Sequence, residues 1–216
     1  MGADSKTLKN NSNSTNSIVK VVAMTGIMAA LSTILRMLEF PLLFMAPEFL
    51  KFDFSDLPAL ITAFAAGPLY GVIVEAIKNI IMLPMTKTQY VGELANFLVG
   101  GIFVFSAGFL YKLKQTRKGA LIGMISGTLI MSAAASFLNY FLLIPFFAEL
   151  YIKDPIDTKV KIDIIVSLFT KIFPFIKDLF GAILFSIIPF NLLKGFVISF
   201  ITFLVYKRIS AILKKY

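Results

Sequence analysis

Long apolar runs separated by short polar segments make up the chain from residue 18 onward. An α-helix crosses a bilayer with about 20 mostly apolar residues, and most of the runs reach or approach that length. The predicted helices cover residues 18–38, 58–66, 69–83, 94–111, 119–147 and 189–206. The second and third, separated at Gly67-Pro68, form either an interrupted pair or one kinked helix. The pattern therefore predicts an all-α integral membrane bundle of six transmembrane helices.

The two chain ends differ from this bundle in composition. Residues 1–17 are rich in Asn and Ser and poor in large apolar groups, which is typical of a disordered tail. Residues 213–216 are a second short polar tail. The membrane domain is accordingly expected to cover residues 18–212, with both tails in the cytoplasm.

The segment 149–188 mixes charged and apolar positions and is interpreted as a long outer connection. Its part at residues 162–176 has the pattern of an amphipathic helix at the membrane interface. A seventh span over residues 162–188 is the alternative. Its charges argue against a span, and Pro189 marks the expected start of the last one. Those charges are Lys171, Lys177 and Asp178.

The stretch 49–59 is the most polar and irregular piece between the apolar runs. Aromatic and charged residues alternate in it, so an extended segment would have one apolar and one charged face. Ser55 or Asp56, followed by Pro58, predicts a capped helix start. Irregular polar backbone near a membrane is kept mainly where it is buried or lines a cavity. The stretch is therefore either a ligand lid or a plain connector.

Composition and charge placement define the class of protein. Hydrophobic residues are 58% of the chain and charged residues 15%, which excludes an ordinary soluble domain. Residues 1–20, the segment 112–118 and the C-terminal end from residue 207 carry eleven basic residues and one acidic residue. The rest of the chain carries ten basic and eleven acidic residues. This positive-inside pattern places both termini in the cytoplasm and explains the net charge of +9 without nucleic acid.

Polar residues inside the predicted spans are candidates for function, because such groups are costly in lipid. Glu75 and Lys78 lie three residues apart and form either a structural ion pair, which is favoured, or a ligand contact. Lys194 has no acidic neighbour in its own helix, so it contacts a ligand or pairs with Glu75 or Glu93. Asn139 and Asn191 are each either an interhelical hydrogen-bonding group or a ligand contact.

Small residues crowd one side of the first predicted helix, which allows another helix to approach closely. That helix belongs either to the same bundle or to a second subunit. The small residues are Ala23, Gly26, Ala29, Ala30 and Thr33.

Motifs for catalysis are missing from the sequence. It has no Cys and no His, so the commonest metal ligands and the usual general base are missing, and we expect no metal and no cofactor. It has no phosphate-binding Gly-x-x-x-x-Gly-Lys-[Ser/Thr] loop and no Gly-x-Ser-x-Gly elbow. A membrane binding and transport subunit is favoured over an intramembrane enzyme.

Several motifs in combination closely resemble the riboflavin-specific substrate-binding subunits of energy-coupling factor (ECF) transporters. The resemblance covers roughly residues 18–212, although the segment 149–188 looks longer than the family's usual outer connection. The motifs are FLKFDFSDLPA at 49–59, Gly67-Pro68, GVxVExxKN at 71–79, GExANFLxG at 92–100, LNYxxxxP at 138–145 and PFNxxKG at 189–195.

The resemblance implies a protein of the bacterial plasma membrane that binds riboflavin from outside and takes it up without ATPase activity of its own. It also implies a partner module of one transmembrane coupling protein and two ATPase subunits. The small-residue side of the first helix, Ala23, Gly26, Ala29, Ala30 and Thr33, would then contact the coupling protein. FMN, thiamine, folate or another vitamin remains the alternative ligand.

Riboflavin has a flat apolar ring system, a polar ring edge and a ribityl chain, which suits an apolar pocket with a few placed polar groups. Asparagine offers a donor and an acceptor, and lysine offers donors only. The residues expected to bind the substrate are Phe44, Met45, Leu50, Phe52, Glu93, Asn96, Asn139, Asn191 and Lys194.

Overall fold

A computed structural model of the protein describes the backbone of residues 2–213 and the side chains of residues 18–205. The helices are α1 (Gly2–Met37), α2 (Asp56–Ala66), α3 (Pro68–Met82), α4 (Val91–Leu113), α5 (Arg117–Leu138), α6 (Ile144–Tyr151), α7 (Thr158–Thr170), α8 (Leu179–Ala182) and α9 (Ile188–Leu213). A 3₁₀ turn covers Leu83–Met85, and π-helical turns cover Asn139–Leu143 and Ile183–Ile187. The strands β1 (Phe40–Pro41) and β2 (Lys51–Phe52) pair antiparallel.

The predicted all-α membrane bundle is confirmed. In the part of the chain that the structure describes, five helical segments are long and apolar enough to cross a membrane: Ile18–Met37, Pro68–Met85, Val91–Leu113, Arg117–Tyr151 and Leu179–Val205. The shorter apolar helix α2 is the sixth member of the bundle. The backbone of residues 2–17 continues α1 as a helix, whereas composition predicts a disordered tail there. Residues 214–216 of the predicted C-terminal tail lie outside the described residues.

The corner between α2 and α3 turns the chain back on itself. Gly67 has a φ of 114°, a conformation that side-chain-bearing residues rarely adopt, and Pro68 begins the next helix. Helix α3 then packs closely against α2, since a Cβ on Gly71 would lie 2.7 Å from the Cβ of Ala63. The predicted interrupted pair is therefore two antiparallel helices, and the kinked single helix is wrong.

The predicted side-chain cap of α2 is wrong. The helix does begin at Asp56, with Pro58 in its first turn. The Ser55 side chain, however, makes no capping bond, and its hydroxyl donates to the carboxylate of Asp53. A charged acceptor makes a stronger hydrogen bond than a neutral one, which explains why the hydroxyl turns away from the helix.

The last span begins at Leu179, not at Pro189 as predicted. Asp178 caps this start, its carboxylate accepting from the backbone N–H of Gly181 at 2.7 Å. Proline has no N–H, and the helix continues past it because the preceding turn is π-helical: the N–H of Ile188 reaches back to Ile183. The same arrangement precedes Pro145, where the N–H of Ile144 bonds the carbonyl oxygen of Asn139. A proline thus marks a local widening of each helix and not its end.

The outer connection is shorter than the predicted 149–188, because α6 extends to Tyr151 and the last span begins at Leu179. Between them lie α7, a helix of 13 residues, and irregular segments on both sides of it. The helix lies earlier than the predicted 162–176, and the alternative of a seventh span is wrong. Chain connectivity places this segment at the same end of the bundle as the segments 38–55 and 83–90. The basic segment 112–118 lies at the opposite end.

Candidate ligand-binding site

A cavity with an empty volume of about 1070 Å³, which includes the part of its mouth open to solvent, lies at the end of the bundle that holds α7. Its apolar walls include Phe49, Leu50, Met82, Val91, Leu143, Phe147 and Phe190. Its polar lining includes Arg36, Glu39, Lys51, Lys87, Thr88, Glu93, Asn96, Asn139, Asn191 and Lys194. Mostly apolar walls with a few converging polar groups are typical of a small-molecule site.

Six of the nine residues expected to bind the substrate line this cavity: Leu50, Glu93, Asn96, Asn139, Asn191 and Lys194. The structure does not bring Phe44, Met45 or Phe52 to it. The side chain of Phe44 is 68% exposed, and Phe52 packs in a small core against Phe190, which itself lines the cavity. Met45 packs against that core, and its carbonyl oxygen accepts from Ser186.

Asn139 and Asn191 enter the cavity beside the two π-helical turns. The side-chain nitrogen of Asn139 donates to the carbonyl oxygen of Ala135, and that of Asn191 donates to Ile187, both at 2.8 Å. Because the partner is a carbonyl oxygen in each case, the amide nitrogen must face it. Among the described residues no hydrogen bond engages the two side-chain oxygens, which are therefore acceptors available to a ligand.

Lys194 pairs with Asp53 and Asp56. It is therefore not an unpaired lysine, and its partners are not the predicted Glu75 or Glu93. Its Nζ lies 3.1 Å from Oδ2 of Asp53 and 3.0 Å from Oδ2 of Asp56. Both acids come from the polar stretch 49–59. The spacing of residues within the helix of Lys194 gives no sign of partners so distant in the sequence. They partner a lysine that still lines the cavity and is 6% exposed.

Asp53 is fully buried and contacts groups from three helices. Its Oδ2 lies 3.2 Å from Nη1 of Arg36 and 3.4 Å from Nδ2 of Asn96, in addition to Lys194. Burial alone would raise the pKa of Asp53, but the positive charges of Lys194 and Arg36 outweigh burial and hold the pKa well below its ordinary value. The predicted separation of an apolar and a charged face is therefore wrong here, since Phe52 and Asp53 are both buried.

A buried charge cluster formed by Lys78, Glu75 and Asp56 lies directly behind the cavity. Lys78 is completely buried and lies 2.6 Å from Glu75 and 3.0 Å from Asp56, which confirms the predicted structural pair. It also donates to the hydroxyl of Ser55 at 2.8 Å. A Cβ on Gly100, which lines the cavity, would lie 2.8 Å from Oε2 of Glu75, so this cluster is separated from the cavity by one glycine.

Sequence patterns missed several groups at the mouth of the cavity. Arg36 near the end of α1 pairs with Glu39 one turn later, and Lys51 lies 2.7 Å from the same carboxylate. The i,i+3 spacing of Arg36 and Glu39 is a signal that was available in the sequence. On the other side, Glu93 accepts from the hydroxyl of Thr86 at 2.7 Å.

An aromatic wall joins the outer helix to the cavity. The ring of Phe49 lies 5.2 Å from that of Phe147 and 5.8 Å from that of Phe169, between ring centroids. Phe169 belongs to α7 and is fully buried, whereas Phe49 and Phe147 line the cavity. The stretch 49–59 thus lines the site at Phe49, Leu50 and Lys51 while its acids lie within the bundle.

The small residues of α1 divide between two faces. Ala23, Gly26 and Ala30 are exposed, and a Cβ on Gly26 would meet nothing within 4 Å. Ala29 and Thr33 are 2% and 8% exposed and face the bundle interior, so their side chains are not presented at the bundle surface as the other three are. No group of three or more His, Cys, Asp or Glu side chains arranged to hold a metal occurs among the residues that the structure describes.

Comparison with known proteins gives consistent results. The family model described as "ECF transporter, substrate-specific component" matches residues 20–206. The riboflavin transporter RibU of Staphylococcus aureus (strain TCH60) is 35% identical over 190 residues, which cover 88% of this chain and 90% of that protein. The riboflavin transporter FmnP of Bacillus subtilis (strain 168) is 31% identical over 197 residues, covering 89% and 93%.

The chain is also similar to a solved structure described as "Structure and mechanism of the S component of a bacterial ECF transporter". The TM-score is 0.69 at 31% sequence identity, and the match covers 90% of this chain and 98% of the other. The similarity therefore extends over most of the chain, including the helices of the bundle.

Proposed function

This chain belongs to the family of substrate-specific components of ECF transporters, and from that premise we propose that it is the riboflavin-binding subunit of such a transporter. It is a multi-pass protein of the bacterial plasma membrane. In this role it binds the vitamin in the cavity at the end of the bundle opposite the basic segment 112–118, which the positive-inside pattern assigns to the extracellular side.

The cavity chemistry is the observation that supports this assignment. Riboflavin presents one polar ring edge with both donors and acceptors, and the cavity offers both kinds at one place. The oxygens of Asn139 and Asn191 accept, and Lys194 donates. Apolar walls with Phe49 and Leu143 suit the flat ring system. The proposed substrate-binding residues are Leu50, Glu93, Asn96, Asn139, Asn191 and Lys194.

The charge balance of the cavity favours a neutral flavin over a phosphorylated one. Arg36 and Lys51 both contact Glu39, and Lys194 contacts Asp53 and Asp56. These three cations already have anionic partners, and the fourth cation of the lining, Lys87, is exposed to solvent. The phosphate of FMN would therefore have to displace an existing partner or pair weakly with an exposed lysine. Riboflavin needs no such exchange.

The energy for uptake comes from other subunits in this proposal, because the sequence has no phosphate-binding loop. A transmembrane coupling protein and two ATPase subunits are the partners, and no cofactor takes part. The exposed Ala23, Gly26 and Ala30 of α1 form the surface for the coupling protein, since small residues allow the closest approach of two membrane helices.

Titration of the purified protein with riboflavin tests the proposal. We expect strong quenching of flavin fluorescence without ATP or partners, and weaker binding of FMN. Thiamine and folate serve as competitors of different chemistry and should not displace riboflavin. Binding of thiamine or folate, with no response to riboflavin, would overturn the substrate assignment.

A further inference from the structure

We propose that Asp53 is a positioning residue of this site, which holds the polar groups of the cavity in the arrangement that binds the flavin ring edge. The inference rests on the proposed function. Asp53 is not part of the cavity surface, but its Oδ2 contacts Arg36, Asn96 and Lys194, and all three line the cavity. These residues belong to α1, α4 and α9, so one oxygen atom joins three helices.

The other oxygen of Asp53 fixes the carboxylate itself. Oδ1 accepts from the backbone N–H of Ser55 at 2.8 Å and from the hydroxyl of the same residue. The backbone carbonyl oxygen of Ser55 in turn accepts from Ser32 of α1 at 2.5 Å, and its hydroxyl accepts from Lys78 of α3. Both oxygens therefore have partners, and rotation of the carboxylate would break at least two contacts.

Electrostatics explain why a carboxylate is needed at this point. Arg36 and Lys194 are like charges that approach the same atom in a buried setting, where their repulsion is weakly screened. An anion between them removes that repulsion and sets the direction of each side chain. Lys194 keeps Asp56 as a second partner, so loss of the charge on Asp53 shifts its ammonium group toward Asp56. The ammonium group of Lys194 would then no longer lie where it can donate to the flavin ring edge.

The position of Asp53 in the segment between α1 and α2 adds a second consequence. The same segment supplies Phe49, Leu50 and Lys51 to the cavity. The side chain of Asp53, two residues after Lys51, thus connects this segment to α1, α4 and α9. Asp53 accordingly fixes both the orientation of the polar groups of the cavity and the position of the segment that contributes to its lining.

The test is Asp53→Asn, which keeps the shape and removes the charge, in purified protein. We expect the affinity for riboflavin and for lumiflavin to fall about tenfold or more, because both ligands share the ring edge. The visible absorption band of the bound flavin should also shift toward that of free flavin. A purely structural role would lower the thermal unfolding temperature of the ligand-free protein and leave affinity and spectrum unchanged below that temperature.

The exposed Asp154 of the outer connection provides the matched control, Asp154→Asn, which should bind as the wild type does. Wild-type affinity and an unaltered bound-flavin spectrum in Asp53→Asn would overturn the inference while leaving the proposed function intact. Failure of the wild type to bind riboflavin would instead overturn the proposed function. If Asp53→Asn does not fold, Ser55→Ala decides: it removes one donor to Oδ1 without a change of charge, and unchanged affinity in it refutes the positioning role.

Discussion

Lys194 of α9 and Asp53, which follows α1, are 141 positions apart in the sequence, yet Nζ of the lysine lies 3.1 Å from Oδ2 of the acid. This contact joins α9, in the last spanning segment, to the polar stretch that leads into α2. The lysine faces the cavity and the acid lies behind it. The contact therefore links the stability of the bundle to the chemistry of the site, and substitutions at Lys194 affect both.

The polar ring edge of the flavin is expected to contact Asn139, Asn191 and Lys194. Removal of one buried hydrogen-bond partner costs about 1–3 kcal/mol, or roughly five- to more than a hundredfold in affinity. We expect Asn139→Ala and Asn191→Ala to weaken binding of riboflavin and of lumiflavin by such factors, with little loss of thermal stability. Isothermal titration calorimetry with both ligands measures the effect.

Lys194→Ala should differ from the two asparagine variants in one respect. It also removes a partner of Asp53 and Asp56, and a buried charge left without its partner is destabilising by about 3–5 kcal/mol. Its unfolding temperature in detergent should therefore be the lowest of the three. Unchanged affinity for both flavins in all three variants would place recognition of the ring edge at Asn96, Glu93 or the segment near Lys51.

The charge cluster behind the cavity gives a prediction about stability. Lys78 contacts both Glu75 and Asp56, whereas Asp56 also has Lys194. Lys78→Met should destabilise the protein by about 3–5 kcal/mol, because it leaves two buried acids with one cation. Glu75→Gln should be milder, and the double variant should be more stable than Lys78→Met alone.

Thermal unfolding of the two single variants and the double variant in detergent measures these differences, and riboflavin binding serves as the check on the site. A double variant as unstable as Lys78→Met would contradict the ion-pair interpretation. Equal loss of a catalytic turnover in all three, with folding intact, would support the enzyme alternative.

The fold was largely predictable because apolar run length and glycine or proline breaks are local signals. Gly67-Pro68 correctly divides α2 from α3. Pro145 and Pro189 were harder to interpret, because a proline ends a helix in one context and is accommodated by a π-helical turn in another. The hydrogen-bonding pattern of the preceding turn decides which occurs, and it is a property of the packed bundle.

The lining of the candidate cavity was predictable where a polar residue interrupts an apolar helix, as for Asn139, Asn191 and Lys194. It was not predictable where burial depends on a distant partner. Asp53 looks like a solvent-facing charge in its own segment, and the approach of Lys194 and Arg36 makes its burial possible. Alternation along a short strand likewise could not show that Phe52 is buried against Phe190 and does not itself line the cavity.

The aromatic wall makes the outer helix part of the site in a testable way. Phe169→Leu keeps an apolar side chain of similar size but removes the ring contact to Phe49. An aromatic pair is worth about 0.5–1.5 kcal/mol, so riboflavin affinity should fall roughly two- to tenfold. Phe175→Leu is the control, since Phe175 is 58% exposed and its ring contacts Phe173 and Phe185, which do not line the cavity. Equal affinities of the two variants would show that α7 does not support the cavity wall.

The exposed small residues of α1 provide the prediction about assembly. Gly26→Leu and Ala30→Leu place a large side chain on the outer face of α1, where a Cβ at Gly26 would meet nothing within 4 Å. We expect both variants to bind riboflavin normally and to lose co-purification with the coupling protein and ATPases, because helices cannot approach closely over a leucine.

Two controls separate this surface from general effects of added bulk. Ala133→Leu introduces the same side chain at an exposed position of α5 and should leave assembly intact. Ala29→Leu introduces it at a buried position and should lower stability by about 1–3 kcal/mol through overpacking. Normal assembly of Gly26→Leu and Ala30→Leu would show that the coupling protein uses another face. Loss of assembly in Ala133→Leu as well would mean that the interface extends to α5, because the small-residue face of α1 alone cannot account for it.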